Sequence, residues 1–553
     1  MSNDSHAVAL AVAGSASVRQ EPLTAEAVTA DQLLRTLPDP TIPSRWGQRA
    51  MAARVIAHRW WSLALALGTA AFLRFWHLGA VGFNSDEAVY AGQAASIAEQ
   101  PAYLPYFPIF RAHPLLFQSM LSLPYRVEVS DTAGRTLAAC FGVATVVVVY
   151  LLGRQASDHR TGVVAASLLA VMPYHVTISR QVLLDGPMVF FATVALFLLT
   201  RFCSGRGERW LIAAGAALGL AAITKETAVI LAGGIYCFFM VTDTVSIRLK
   251  AALRAGTAAG LISVMFPLAI RLAGASHSST SYLAWQLARR ANHPVTFYLT
   301  TVPQAMGPAL LAVAGLGLAV SVRHLNWPER LLLAWCAVPF LFFTMMPIKG
   351  FQYLLPLAPA LCVLAARTLT APSLWKAVTR RLPRAWGALQ RAGWATLVIS
   401  LLVPAWLTVQ PSTSRVFLAG TGGLPGGREA GTWVEQNLPH GSTLLTLGPS
   451  MANVIAFYGH RQAYALSVSP NPLNRNPSYA AVDNADLELR TGRIQYAVWD
   501  SFSAARSPRF SDRLLAYVRK YNGRAIHSES IPVTDTHDAG GVATVITIYE
   551  LHP

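Results

Sequence analysis

Charge is scarce in this 553-residue chain. Only 13% of the residues are Asp, Glu, Lys or Arg, against about a quarter in an average soluble domain. Acids are scarcer still: 27 stand against 44 Lys and Arg, a formal net charge of +17. With 53% of residues hydrophobic, so thin a polar complement cannot cover the apolar bulk with a wet surface. That excludes a purely soluble enzyme and a disordered chain. The basic excess tempts a nucleic-acid reading, but in a chain this apolar it belongs to cytoplasmic loops facing anionic lipid, and no nucleic-acid partner is expected. Cysteine is also rare. Cys140, Cys203, Cys237, Cys336 and Cys362 lie in or beside apolar stretches with no CxxC and no Cys/His ligand spacing. A disulfide framework and a zinc site are excluded. The chain has no GxGxxG and no P-loop, hence no recognisable nucleotide site, and no internal repeat.

What it has is apolar runs. Residues 1–50, rich in Ala, Ser, Thr and Pro, are expected to form a disordered cytoplasmic tail. Residues 51–410 alternate apolar stretches with short polar breaks. A membrane span needs about 20 apolar residues, and about eleven candidates follow, near 61–80, 133–152, 161–179, 187–202, 209–224, 227–243, 252–272, 306–322, 329–346, 352–368 and 392–410. Arg45, Arg49, Arg54 and Arg59 precede the first, which places the N-terminus in the cytoplasm, and every second loop is basic. An odd number of spans puts residues 411–553 outside. There Gly and Pro punctuate 420–427, and strand-like and helix-like apolar runs alternate from Thr443 to Tyr549. The expected architecture is a polytopic α-helical membrane protein with a small soluble extracytoplasmic α/β domain. That domain's scattered acids suit acceptor recognition rather than catalysis.

Polar chemistry concentrates at the outer ends of the spans. The first outer loop, 81–132, opens with Asn84-Ser85-Asp86-Glu87. Such a start caps a helix, and acids suit its first turn. An acid pair at a membrane exit can also take a proton or hold a divalent cation. The same loop carries Arg111-Ala112-His113-Pro114, a cation beside a His-Pro turn. Asp185, before Gly186-Pro187, has no sequence partner at membrane depth. Lys225-Glu226 reads either as a local ion pair or as part of a site. Lys349 and Tyr353 lie in another outer turn, where a cation could bind phosphate or anchor a helix end.

Taken in order, these pieces carry a resemblance. Leu73-Arg74-Phe75, Asp86-Glu87-Ala88, Arg111 to Leu115, Arg135, Val148 to Arg154, Ser179-Arg180-Gln181 with Asp185, Thr224-Lys225, and Lys349 with Tyr353-Leu354-Leu355-Pro356 together resemble the GT-C glycosyltransferase superfamily. The branch is that of the protein O-mannosyltransferases and lipid A aminoarabinose transferases. The resemblance covers about 60–410 well and the C-terminal part loosely. It implies an enzyme of the plasma (inner) membrane that takes a sugar from a polyprenyl-phosphate donor and gives it to a lipid, glycan or protein acceptor at the outer face. It implies Asp86 as catalytic base, with Asp185 completing the acceptor side or a metal site, and Arg111, His113 and Lys349 holding the carrier phosphate. Glu87, Lys225 and Tyr353 support them. A divalent cation held by Asp86, Glu87 and Asp185 is left open as the one cofactor. Two departures stand out: His113 where the aminoarabinose branch tends to have Lys, and Gln352 where an Arg often precedes the Tyr. The lumenal inserts of eukaryotic O-mannosyltransferases are absent.

Two readings of other classes compete. A transporter or flippase of lipid-linked sugars would place ionisable residues mid-helix in repeated halves, whereas here they cluster at helix ends. A non-catalytic envelope assembly protein would not need Asp86.

Overall fold

The computed structural model describes residues 45–274, 285, 289, 291–321, 325–370, 383–410, 424–471, 475, 476, 479–532 and 542–553. The chain divides into two units, Met1–Trp60 and Trp61–Pro553. The site and its supports all lie in the second. The tail expected over 1–50 falls almost wholly outside the described residues.

Helix α1 (Arg45–Phe75) is followed by α2 (Ser85–Ile97), α3 (Leu116–Tyr125), α4 (Asp131–Ala156) and α5 (His159–Ala170). Next come α6 (Pro173–Ile178), α7 (Asp185–Cys203), α8 (Glu208–Thr224) and α9 (Ile230–Val241). The helical part closes with α10 (Leu249–Ser263), α11 (Met265–Leu272), α12 (Phe297–Met306), α13 (Pro308–Ser321), α14 (Trp327–Met345), α15 (Leu357–Thr370) and α16 (Pro383–Val409).

Among the described residues, five helical stretches are long and apolar enough to cross a membrane: α4, α7, α10 with α11, α14 and most of α16. The pair α12–α13, bent by 102°, would make a sixth if counted as one span. Three shorter apolar helices cover Trp60–Phe75, Glu226–Val241 and Leu357–Thr370. Among the described residues fewer helices than the eleven expected spans meet this measure of length and composition, and the breaks have local causes. The run expected as one helix over 161–179 ends before Pro173, with Met172 extended at ψ 117°. Proline has no N–H to continue the ladder and pushes its predecessor out of the helical region. The kink between α12 and α13 falls on Gly307, at φ 92°, followed by Pro308. Lys225, extended at φ −153°, separates α8 from a short 3₁₀ turn leading into α9.

After residue 424 the chain folds into an α/β region. It comprises α17 (Gly427–Asn437), β1 (Thr443–Thr446), α18 (Pro449–Gly459), β2 (Gln462–Ala465) and α19 (Ala485–Arg490). It continues with β3 (Tyr496–Asp500), α20 (Ser501–Arg506), α21 (Pro508–Lys520), β4 (Arg524–Pro532) and β5 (Val542–Glu550). The five strands form one sheet in the order β2-β1-β3-β5-β4. β1 runs parallel to β2 and β3, while β5 runs antiparallel to β3 and β4. Leu514 and Val518 of α21 join Leu445, Leu447 and Ala497 in a small core on this sheet.

The larger core unites this region with the segment between α1 and α4. Phe83, Tyr103 and Phe107 pack around Phe457 of α18. The Tyr458 hydroxyl donates to Asp131 at 2.8 Å and accepts from the Phe83 N–H at 2.7 Å. Arg428 reaches the Gly79 carbonyl at 2.7 Å and Asp131 at 3.2 Å. Asn453 donates to Ser85 at 3.0 Å, beside the first turn of α2.

Candidate active site

The site grows from the start of α2. Asn84 is its N-cap. Its side-chain oxygen accepts from the backbone N–H of Asp86 and of Glu87, each at 3.0 Å. The Glu87 carboxylate accepts in return from the Asn84 N–H at 3.1 Å, completing a capping box. This cap fixes where each acid of the pair points, since successive helical residues are about 100° apart.

Glu87 points inward and is fully buried. Arg135 of α4 grips both its oxygens, at 2.8 and 2.7 Å. The Val182 N–H adds a bond at 3.0 Å. Arg135 also donates to the carbonyls of Leu78, Val81 and Gly82. Every strong donor and acceptor in this cluster is used. Glu87 is a structural lock rather than a free carboxylate.

Asp86 points outward onto the wall of a cavity of about 400 Å³. Arg111, His113, Lys225 and Glu226 converge on the same cavity, and so do Gln352 and Tyr353. Asp86 is exposed to this space, with protein atoms packed around it. Burial among those atoms pushes its carboxyl above the ordinary carboxylate range. Lys225, His113 and Arg111 pull it back, and Glu87 raises it further. One flank of the wall is apolar, with Val229 and Ile230 from one side and Phe342, Phe343, Met346 and Ile348 from the other.

The cations are themselves positioned. Lys225 donates to both oxygens of Asp185 at 2.8 Å, in a pair of which both members are buried. Its ammonium lies 5.2 Å from the centre of the Tyr353 ring. Nδ1 of His113 is 3.0 Å from each oxygen of Glu226. Arg111 lies over the ring of Tyr479, 5.3 Å from its centre. The adjacent Lys225 and Glu226 thus do not pair with each other; each binds a partner from a different segment.

Asp86, Arg111, His113, Lys225 and Tyr353 are brought to one cavity. Asp185 lies behind it, reaching it through Lys225. Lys349 is buried away from it: its ammonium donates to the Met346 carbonyl at 2.7 Å, while its backbone N–H is held by Asn292 at 2.8 Å. Lys349, expected on the carrier phosphate, is thus not among the residues lining this cavity. It closes the C-terminal end of α14. The metal set of Asp86, Glu87 and Asp185 is not assembled here either. Glu87 is spent on Arg135 and Asp185 on Lys225, and among the described residues no group of three His, Cys, Asp or Glu is arranged to hold an ion. Glu87 and Asp185 are therefore not placed to join Asp86 around a divalent cation.

Sequence reasoning missed Glu226 as the partner of His113. It also missed Tyr479 and Asn476, which reach the cavity from the α/β region. Neither lies in a recognisable motif. The one available signal was an unexplained carboxylate, Glu226, at a helix boundary.

Comparison with known proteins adds to this geometry. Residues 112–270 match the dolichyl-phosphate-mannose-protein mannosyltransferase family. An uncharacterized protein of Aquifex aeolicus is 25% identical over 350 residues, covering 60% of this chain and 68% of its own. Dolichyl-phosphate-mannose–protein mannosyltransferase 1 of Candida albicans is 36% identical over 97 residues, which is 16% of this chain and 11% of that relative. Among solved structures, ArnT of Cupriavidus metallidurans, bound to undecaprenyl phosphate, superposes with a TM-score of 0.64 at 16% identity, over 88% of this chain and 97% of its own. The apo oligosaccharyltransferase of Archaeoglobus fulgidus does so with a TM-score of 0.60 at 16% identity, over 88% and 74%. At such identities the likeness is one of fold. The chain thus shares the fold of ArnT and of the oligosaccharyltransferase, and its residues 112–270 match the pattern of the dolichyl-phosphate-mannose-protein mannosyltransferase family.

Proposed function

We propose that the chain is an inverting glycosyltransferase that moves a sugar from a polyprenyl-phosphate donor to an acceptor hydroxyl at the outer face of the plasma membrane. One observation carries the reading: Asp86 stands on the wall of a cavity where Arg111, His113 and Lys225 converge beside an apolar flank. The apolar flank suits the first isoprene units of a lipid carrier, and the cations suit its phosphate. Undecaprenyl phosphate in the ArnT structure and dolichol-phosphate in an AglB complex support a carrier of that class.

In the reaction the acceptor oxygen attacks the anomeric carbon from the face opposite the phosphate. Asp86 takes the hydroxyl proton as the new C–O bond forms. The bond to the phosphate oxygen breaks, and polyprenyl phosphate leaves with the added charge, met by Arg111, His113 and Lys225. A phosphate is already a good leaving group, so no general acid is required. A base of this kind contributes about 10²–10⁴-fold. Asp185 and Glu226 act by holding Lys225 and His113. Tyr353 supports Lys225, and Lys349 supports the turn from which Tyr353 comes.

Residues 51–410 form the catalytic membrane part. The 411–553 part lies outside and helps to receive a lipid, glycan or protein acceptor. The N-terminus is cytoplasmic. Purified protein given a synthetic undecaprenyl-phosphate sugar should release undecaprenyl phosphate and form glycoside of inverted configuration. No release above the Asp86→Asn background with any sugar tested would sink the reading. A C-terminal alkaline phosphatase fusion should be active in cells; an inactive fusion, with a cytoplasmic reporter working at the same point, would reverse the orientation.

A further inference from the structure

A second cavity, of about 270 Å³, meets the first at Asp86. Asp86, Gln352 and Tyr479 line both. The two cavities differ in chemistry. The larger has a broad apolar flank and several cations. The smaller is walled by polar side chains from Asn84, Ser85, Gln181 and Gln352, and by a single cation among the described residues, Arg506.

The other polar groups of the small cavity are largely committed. The Asn84 amide donates to Gln181 at 2.9 Å, and the Gln181 amide donates to the Thr177 carbonyl at 3.1 Å. Ser85 accepts from Asn453. Arg506 is different. It ends α20, a helix whose start is fixed by Asp500 accepting from the Ser503 N–H at 2.7 Å. Its guanidinium lies over the Phe502 ring, 4.3 Å from the centre, which holds one face of the plane. Among the described residues no carboxylate pairs with it. It is exposed, and it faces the cavity rather than a protein partner.

Resting on the transferase reading above, we infer that this small cavity takes the acceptor, and that the acceptor carries an oxyanion, a phosphate or carboxylate, near its reacting hydroxyl. The hydroxyl must approach Asp86, whose ionised form repels any neighbouring anion. An acceptor with a negative group can dwell there only if a cation offsets that repulsion. Arg506 supplies it, and its planar fork of N–H donors matches an oxyanion in two-pronged fashion. The α/β region would then contribute a specificity-determining residue to the site.

The test is binding to the full-length protein in detergent, saturated with undecaprenyl phosphate so that the cations of the larger cavity are occupied. Octyl glucoside, its 6-phosphate and octyl glucuronide are titrated in turn by calorimetry. The two anionic glycosides should bind about 10–100-fold more tightly than the neutral one, the range expected for a hydrogen bond to a charged group. Arg506→Gln should abolish that preference and Arg506→Lys should keep part of it, with undecaprenyl phosphate affinity unchanged in both. Equal binding of neutral and anionic glycosides by the wild-type protein would overturn the inference. So would a preference that survives Arg506→Gln. Because the readout is binding, the two readings fail separately: a protein that prefers the anionic glycosides through Arg506 yet transfers no sugar would unseat the transferase reading, leaving an oxyanion site at Arg506 that is no acceptor site.

Discussion

Asp86 and Glu87 are neighbours in sequence and opposites in surroundings. The region around Glu87 is a closed network: Arg135, the Val182 N–H and the Asn84 N–H all end on one carboxylate. The region around Asp86 holds equally strong charges, but several of them face a cavity. A closed network spends its polar groups on shape. An open one keeps them for something that arrives. The contrast shows why an acid pair in a sequence cannot be read as two equal candidates: a helix cap turns one inward and the other outward.

The sharpest way to break this comparison is to neutralise each acid in turn. Asp86→Asn should lower turnover by about 10²–10⁴-fold while leaving thermal unfolding in detergent almost unmoved. If turnover stays near normal and Asp185→Asn is inactive instead, the base has been misassigned. Removing the lock gives the mirror result. Arg135→Ala leaves Glu87 buried without its cation, which costs about 3–5 kcal/mol. The expected outcome is low yield and a depressed unfolding midpoint, with whatever folds retaining turnover per molecule. A variant that folds as well as wild type but has lost its activity would move Arg135 into the chemistry.

A smaller effect is expected where the α/β region meets this network. Tyr458→Phe strands the Phe83 N–H and takes one donor from Asp131, a loss of about 1–3 kcal/mol. It should appear in unfolding curves, with donor KM unchanged. The smallest change concerns pH. Asp86 must be ionised to act, and burial raises its pKa. The acid limb of the turnover profile should therefore lie above the ordinary carboxylate range. His113 lowers that pKa, so His113→Gln should move the limb further up. A limb that stays put, or moves down, would show that His113 does not act on Asp86.

Much of this was legible beforehand. The membrane class followed from the lack of charge, and Asp86, Arg111 and His113 stood together in one expected outer loop, 81–132. What escaped was long-range pairing. Nothing local tells that Lys225 turns from Glu226 to Asp185, 40 residues away. Nor does a lysine in an outer turn announce that its ammonium will close a helix end, as Lys349 does on Met346. Helix length was misjudged where hydropathy ran on across Pro173, because apolar composition records burial and not backbone continuity. Tyr479 and Arg506 were invisible because they come from a part of the chain with no motif.

The hold of Tyr458 on Asp131 and Phe83 also sets an order of events during synthesis. Its two ends lie 327 and 375 residues apart in the chain. The first outer loop must therefore wait for nearly the whole protein to be made before α18 can cover Phe83 and Phe107. Until then those rings lack their cover. On the transferase reading, a growing chain would thus lack a finished site until α18 has been made, and truncation after α16 should expose the segment between α1 and α4 to proteases.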